Sequence, residues 1–183
     1  MRAQLSILIA ATGAALGACG EHSPGFSIAH GALRVRGSEV TIVRDGGPAA
    51  HLAAGGQLTI GSDPVTLNAE QRAQAESYYN AAIAVRDDAL ATGKAGAEVG
   101  ATAAKEVISG LAHGDTSQIG AKVEAKAQAV KQQALSICND LATIRSAQES
   151  LASSLAAFKP YAVVREAEVT DCARDLKDAK SSG

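Results

Sequence analysis

The chain has 183 residues, with 17 Lys and Arg against 19 Asp and Glu and a formal net charge of −2. Two Phe, three Tyr and no Trp leave no stripe of cations interleaved with aromatics, which speaks against a nucleic-acid footprint. Ala, Val, Ile and Leu must therefore build the core of one domain or two small ones, a composition suited to closely approaching helices rather than a deep ligand pocket.

The first segment carries an address. Arg2 precedes an uncharged apolar run from Leu5 to Leu16, too short to span a bilayer as a mature helix. Small residues and a cysteine follow, in Leu16-Gly17-Ala18-Cys19. This order resembles a bacterial lipoprotein signal, whose lipobox sets a branched apolar residue three before the cysteine that takes lipid. The resemblance implies a signal peptide over residues 1–18, lipidation of Cys19 and a short tether over 19–25. By likeness to proteobacterial lipoproteins, Gly20 rather than Asp implies sorting to the outer membrane. The folded part then faces the periplasm from the membrane's inner face. Acyl chains anchor through about 0.8 kcal/mol per buried methylene. The six residues from Gly20 to Gly25 reach at most about 20 Å, which keeps the folded part close to the bilayer. No later stretch is long and apolar enough to cross a membrane.

From Phe26 to Leu67 the pattern alternates with a period of two. Leu33-Arg34-Val35-Arg36 and Val40-Thr41-Ile42 flank Gly37-Ser38, a hairpin signature. A near-copy follows: Gly31 to Ile42 aligns with Gly56 to Leu67, with Gly, Leu, Val/Ile, Val, Thr and Ile/Leu recurring. Two similar β-hairpins are expected, sharing an apolar face of Leu33, Val35, Val40, Ile42, Leu58, Ile60, Val65 and Leu67. Asp45-Gly46-Gly47-Pro48 and Ala54-Gly55-Gly56 break the strands between them. A single hairpin is marginal in water, so helices must cover this face. Arg34 and Arg36 fall on the polar face as solvated charges.

Residues 68–177 read as helical. Asn68 with Gln71 forms a capping box and opens a helix to about Ala91, with Ala75, Tyr79, Ala82, Ile83 and Leu90 on one side. Thr92-Gly93 is expected to stop or bend it. A second helix spans roughly 97–112, with Val99, Ala103, Val107 and Leu111 at intervals of four. After a turn at His113-Gly114-Asp115, Asp115 and Gln118 cap a long third helix. Its seam of Ala127, Val130, Ala134, Ile137, Leu141, Ile144, Gln148, Leu151, Leu155 and Phe158 alternates steps of three and four, the heptad spacing of a coiled coil, interrupted only by polar Gln148. Asn139-Asp140 are weak helix formers, and Lys159-Pro160 ends the helix. A short segment from Val163 to Lys177 and a polar tail over 178–183 complete the chain. The fold class is α+β: a small antiparallel sheet on a mainly helical region with one long heptad-patterned helix.

With Cys19 lipidated, Cys138 and Cys172 remain. An even pair in an envelope protein predicts a disulfide, two separate buried thiols being the other reading. Fourteen residues from Lys159 must return to the level of Cys138. A disulfide therefore needs an extended Tyr161-Ala162-Val163-Val164 or a bend near Asn139-Asp140, and the β-branched pair after Pro160 favours extension. The remaining polar residues form no reactive set. His22, His30, His51 and His113 stand at no metal-ligand spacing and read as surface residues, so no metal or cofactor is expected. No serine lies in a nucleophile elbow. Glu70, Glu76, Asp87 and Asp88, beside Arg72 and Arg86, read as a solvated helix face. Gly93, Gly96, Gly100 and Ala104 form a small-residue stripe, read as close packing on another helix because nearby charges make insertion costly.

The segment Gly56-Gln-Leu-Thr-Ile60, then Val65-Thr-Leu67 running into Asn68-Ala-Glu-Gln71-Arg72, resembles a bacterial envelope family of unknown function called YggN-like. The likeness covers roughly residues 26–160, implies a periplasm-facing protein and supplies no catalytic residue. The leading reading is a non-enzymatic lipoprotein that holds the membrane through its N-terminal lipid and binds a protein or other envelope component through its helical surface. An alternative is an inhibitor or immunity lipoprotein that blocks a toxic envelope-acting hydrolase, with residues 45–56 as the loop entering the enzyme. A cell-wall hydrolase would need paired carboxylates or a metal, and the sequence displays neither.

Overall fold

A computed structural model describes the backbone of residues 25–113 and 119–181, with side chains for 25–105 and 124–175. The signal, Cys19, the tether through Pro24, His22 and the Asp115–Gln118 cap lie outside the described residues, as does the side chain of His113. Six strands, β1 (Phe26–Ile28), β2 (Leu33–Arg36), β3 (Glu39–Ile42), β4 (Ala50–Ala53), β5 (Gln57–Ile60) and β6 (Asp63–Pro64), pair in chain order as one antiparallel sheet. It packs on a mostly helical region, the α+β arrangement that the alternation predicts.

Register sets one row of apolar side chains across the sheet. Leu33 faces Ile42, Val35 faces Val40, Val40 faces Leu52 and Leu52 faces Leu58. All are buried, together with Ala50. Ile60, Val65 and Leu67 pack only at the margin. The sheet is larger than two hairpins, because Ala50–Ala53 is a strand and Phe26–Ile28 pairs with β2. The 56–67 copy also pairs differently from its model. Gly56 belongs to the turn between β4 and β5, and β6 stops after two residues at Pro64, which has no N–H to extend a ladder.

At Gly56 the backbone of the sheet lies against the backbone of the first helix. It takes φ of +73°, and a Cβ there would collide with the Arg72 carbonyl oxygen and stand 3.0 Å from the Glu76 amide. Gly55 takes φ of +77° too, yet a Cβ there would meet only the Gln57 side chain, at 3.7 Å.

Helix α1 (Ala69–His113) is a single helix of 45 residues. The capping box forms in both directions: the Asn68 amide donates to Gln71 Oε1 at 3.1 Å, and the Gln71 amide donates to Asn68 Oδ1 at 2.8 Å. The stop expected at Thr92-Gly93 is absent, and the second expected helix is the continuation of the first. A glycine ends a helix by turning left-handed, and Gly93, Gly96 and Gly100 do not. Each then costs only about 1 kcal/mol of propensity, which the surrounding Ala, Lys and Glu tolerate.

Helix α2 (Ile119–Ser154) runs back along α1. Lys126 Nζ donates to Thr102 Oγ1 at 2.9 Å at one end, and Gln71 Nε2 donates to the Ser154 carbonyl at 2.9 Å at the other. Gln71 thus serves the first turn of α1 and an orphan carbonyl of the last turn of α2. The core joins the sheet to Ala75, Tyr78, Tyr79, Ala82 and Val85 of α1 and to Leu141, Ile144, Ala147 and Leu151 of α2. Between Val85 and Cys138 no described residue is buried, so the helical pair continues past the core.

Helix α2 stops four residues before Phe158, short of the expected end. Pro160 disfavours helical backbone at Lys159 and cannot sit inside an α-helix without clashing one turn back. Leu155 is extended, and residues Ala156–Tyr161 form a 3-10 turn that swings Phe158 and Tyr161 into the core. Helix α3 (Glu166–Ser181) follows and runs past the boundary at 177 where the polar tail was expected.

Gly56→Ala pays both a left-handed backbone and a clash with α1, so it should cost about 2–4 kcal/mol, against about 1–2 kcal/mol for Gly55→Ala, which pays only the backbone term. Thermal unfolding of the two variants checks this. Equal losses would contradict the close approach of Gly56 to Arg72.

Candidate functional site

Two side chains bring the C-terminal segment back onto α2. Cys138 on α2 and Cys172 on α3 stand at disulfide distance, with sulfurs 2.03 Å and Cα atoms 5.7 Å apart. Helix α2 passes Asn139-Asp140 without ending, and the return at Ala162–Arg165 is non-helical. It is held by Gln148, the polar residue that interrupts the apolar seam. Gln148 Nε2 donates to the Val164 carbonyl at 2.8 Å, and the Val164 amide donates to Gln148 Oε1 at 2.9 Å. The side-chain amide pairs with one residue's backbone as a neighbouring strand would, so both buried groups are satisfied. Glu168 then caps α3, accepting the Arg165 amide at 2.7 Å.

Beside the cysteine pair lies a cavity of about 460 Å³ with an apolar floor that includes Ile28, Leu141 and Val164. His30, Arg165, Glu168 and Asp171 are on its wall. Ala29 and His30 both take left-handed backbone, φ of 52° and 56°, before Gly31. His30 Nε2 lies 3.1 Å from Arg165 Nη2. Arg165 pairs with Glu168 at 3.2 Å.

A second cleft, about 390 Å³, opens between the β2–β3 turn and α1. Tyr79 donates its hydroxyl to the Ser38 carbonyl at 3.0 Å, and the Arg86 guanidinium donates to the Gly37 carbonyl while pairing with Asp87. Leu90 forms the outer lip and is 44% exposed. A third opening, between α1 and α2, holds Asp140 with Glu76. Burial, and then the charge of Asp88 across the helical pair, push the Asp140 carboxyl above its ordinary value.

The sequence-derived candidates fall into place unevenly. Arg34 and Arg36 are exposed as expected, and so are Glu70, Glu76 and Asp87. Asp88 is not on a fully solvated face; it is half-buried and acts on Asp140. His51 sits in β4, half-buried, 3.2 Å from Glu39 and 3.3 Å from Thr41. The stripe of Gly93, Gly96 and Gly100 does not pack on a helix: a Cβ at any of the three would meet nothing within 4 Å. Within the expected inhibitory loop, residues 50–53 form β4, with Ala50 and Leu52 buried, so this segment is part of the sheet's interior. Among the described residues no group of three or more His, Cys, Asp or Glu is placed to hold a metal ion, and no helix is long and apolar enough to cross a membrane. Sequence reasoning missed Tyr78, whose ring stands edge-on to Phe158 at 6.2 Å. Its three-residue offset from Ala75 and Ala81 was the available signal. No family model, curated protein or solved structure matches the chain.

Replacing Gln148 by leucine should destabilise the protein although it completes the apolar seam. It orphans the buried Val164 N–H, at about 1–3 kcal/mol, and leaves the Val164 carbonyl only the longer Arg145 contact at 3.5 Å. A melting temperature equal to that of the unaltered chain would contradict the pairing. Thiol labelling under denaturing, non-reducing conditions should find neither Cys138 nor Cys172 free. Reduction should lower stability by about 3–4 kcal/mol, the chain-entropy value for a loop of this length. Two labelled thiols in the unreduced protein would disprove the bond.

Proposed function

We propose that the chain is a non-enzymatic lipoprotein of the bacterial envelope, anchored through lipid on Cys19 and working by binding a protein or other envelope component with its helical surface. The observation that carries this reading is the helical pair beyond Arg86. There α1 and α2 run side by side outside the core, with no buried described residue between Val85 and Cys138. A fold stabilised elsewhere gains nothing from such a length of surface unless the surface is used. The cysteine pair supports the compartment, because bonded pairs persist in oxidising surroundings. The YggN-like reading belongs to the same proposal, through the Gly56–Ile60 and Val65–Leu67 segments that lead into the Asn68–Gln71 cap. Of the segment that the inhibitor reading assigns, residues 50–53 are a strand of the sheet, which leaves that reading the turns at 45–49 and 54–56.

The anchor and the surface are tested separately. Cys19→Ala should carry no acyl mass and should leave the membrane fraction; its retention through carbonate washing would overturn the anchor. Photo-crosslinking residues at Gln132 and Leu135, on the outer side of α2, should give one discrete protein adduct in intact envelopes. The same group at Ser62, on the β5–β6 turn, should not. Identical adducts from all three positions, or none from α2, would overturn binding through the helices.

A further inference from the structure

The chain enters the sheet and α1 leaves it at one corner. Phe26 pairs with Val35, which sets Gly25 beside Arg36; a Cβ on Gly25 would lie 3.6 Å from Arg36 Nε. The next residue, Gly37, accepts from Arg86 of α1 and shares a cleft with Leu90. Three lengths meet at this corner. Ahead of it, α1 runs from Arg86 to His113, about 40 Å at 1.5 Å per residue. Behind it, α1 lies over the sheet back to Ala69, about 25 Å. Between Cys19 and Gly25 the chain reaches at most about 20 Å.

These lengths restrict how the protein sits on a bilayer that holds Cys19. With the helical pair pointing away from the membrane, about 25 Å of body stands between the corner and the lipid, more than the tether spans. With the pair pointing at the membrane, its outer half enters the hydrocarbon and takes the charge of Lys105 with it, which the bilayer centre disfavours. Lying along the surface satisfies both limits. Exposed Arg36 and Lys94 then stand where headgroup phosphates are, and Leu90 offers an apolar contact at the interface.

We propose that the α1–α2 pair lies along the surface of the bilayer that anchors Cys19, with the line of Leu90 and Ala97 toward the phospholipid headgroups. The inference rests on lipidation of Cys19. It leaves the outer side of α2 for a protein partner.

The chain has no tryptophan, so a single introduced one reports alone. The lipidated full chain carrying Leu90→Trp, Ala97→Trp or Ser62→Trp is reconstituted in vesicles of phosphatidylethanolamine and phosphatidylglycerol, with and without brominated lipid. Leu90→Trp and Ala97→Trp should lose roughly half or more of their emission to brominated lipid, as expected for groups seated in the interface. Ser62→Trp, at the opposite end of the strands, should lose little. Vesicle flotation and the acyl mass on Cys19 are read on the same samples. Floating, acylated protein with no quenching at positions 90 and 97 overturns the inference and leaves the anchor standing. Protein that neither floats nor carries acyl mass overturns both. Shielding of Leu90→Trp that grows with concentration in the anchorless Cys19→Ala chain assigns the face to a second copy and also overturns it.

Discussion

The packing of Phe158 and Tyr161 between helices and sheet is the contact on which the remaining structure depends. The chain has five Phe and Tyr in all, and Tyr78, Tyr79, Phe158 and Tyr161 are all buried. Phe158 meets Tyr78 edge-on and lies 6.1 Å from Tyr161. The Tyr161 hydroxyl donates to the Pro48 carbonyl at 2.8 Å, and Arg44 sits 5.6 Å above its ring. One 3-10 turn therefore ties the end of α2 to the loop between β3 and β4. In a core otherwise made of Ala, Val, Ile and Leu, these rings supply the large surfaces that small side chains lack. The tight fit has a cost at Tyr78: its hydroxyl is buried with no partner among the described residues, and burial pushes the phenol well above its ordinary value.

How far the fold was legible depended on how local its causes are. The strand faces of Leu33, Val35, Val40 and Ile42 follow from alternation alone, and the Asn68–Gln71 cap follows from two side chains three residues apart. The β4 strand was hidden because Ala50-His51-Leu52-Ala53 is short, carries a histidine and sits between glycines that read as breaks. The continuity of α1 was hidden for the converse reason. Gly93 is a stop signal only when it turns left-handed, and it stays helical here. The early end of α2 could be read from Pro160, but the swing of Phe158 and Tyr161 into the core could not, since Tyr78, which meets Phe158, and Pro48, which accepts from Tyr161, are distant in sequence. Gln148 looked like a flaw in an apolar seam. Its role depends on Val164, sixteen residues later, and no periodicity announces such a partner.

The two halves of the helical pair obey different physics. Toward the sheet, α1 and α2 bury Val85, Ile144 and Leu151. Farther out, the only larger apolar side chains that are even partly covered among the described residues beyond Leu90 and Ala134 are Val99 and Val130, Asp88 acts on Asp140, and the buried oxygens of Thr92 and Gln133 have no side-chain or backbone partner among the described residues. Such a seam contributes little hydrophobic free energy, so the outer part opens at lower cost than the core. A region free to open locally can adjust to a surface without disturbing the sheet.

The neighbour-to-neighbour order of the six strands bears on the way the molecule is made. Each strand pairs with the one before it, so the sheet needs only short loops to close and can assemble as the chain emerges from its N-terminus. Its apolar face is sealed much later, by residues 158–164, which follow Pro48 by more than a hundred positions. Throughout that interval Leu33, Val40, Ile42 and Leu52 are clad on one side at most, by α1. The nascent protein therefore passes through a stage with formed hairpins and an open core, when a chaperone would have the most to protect.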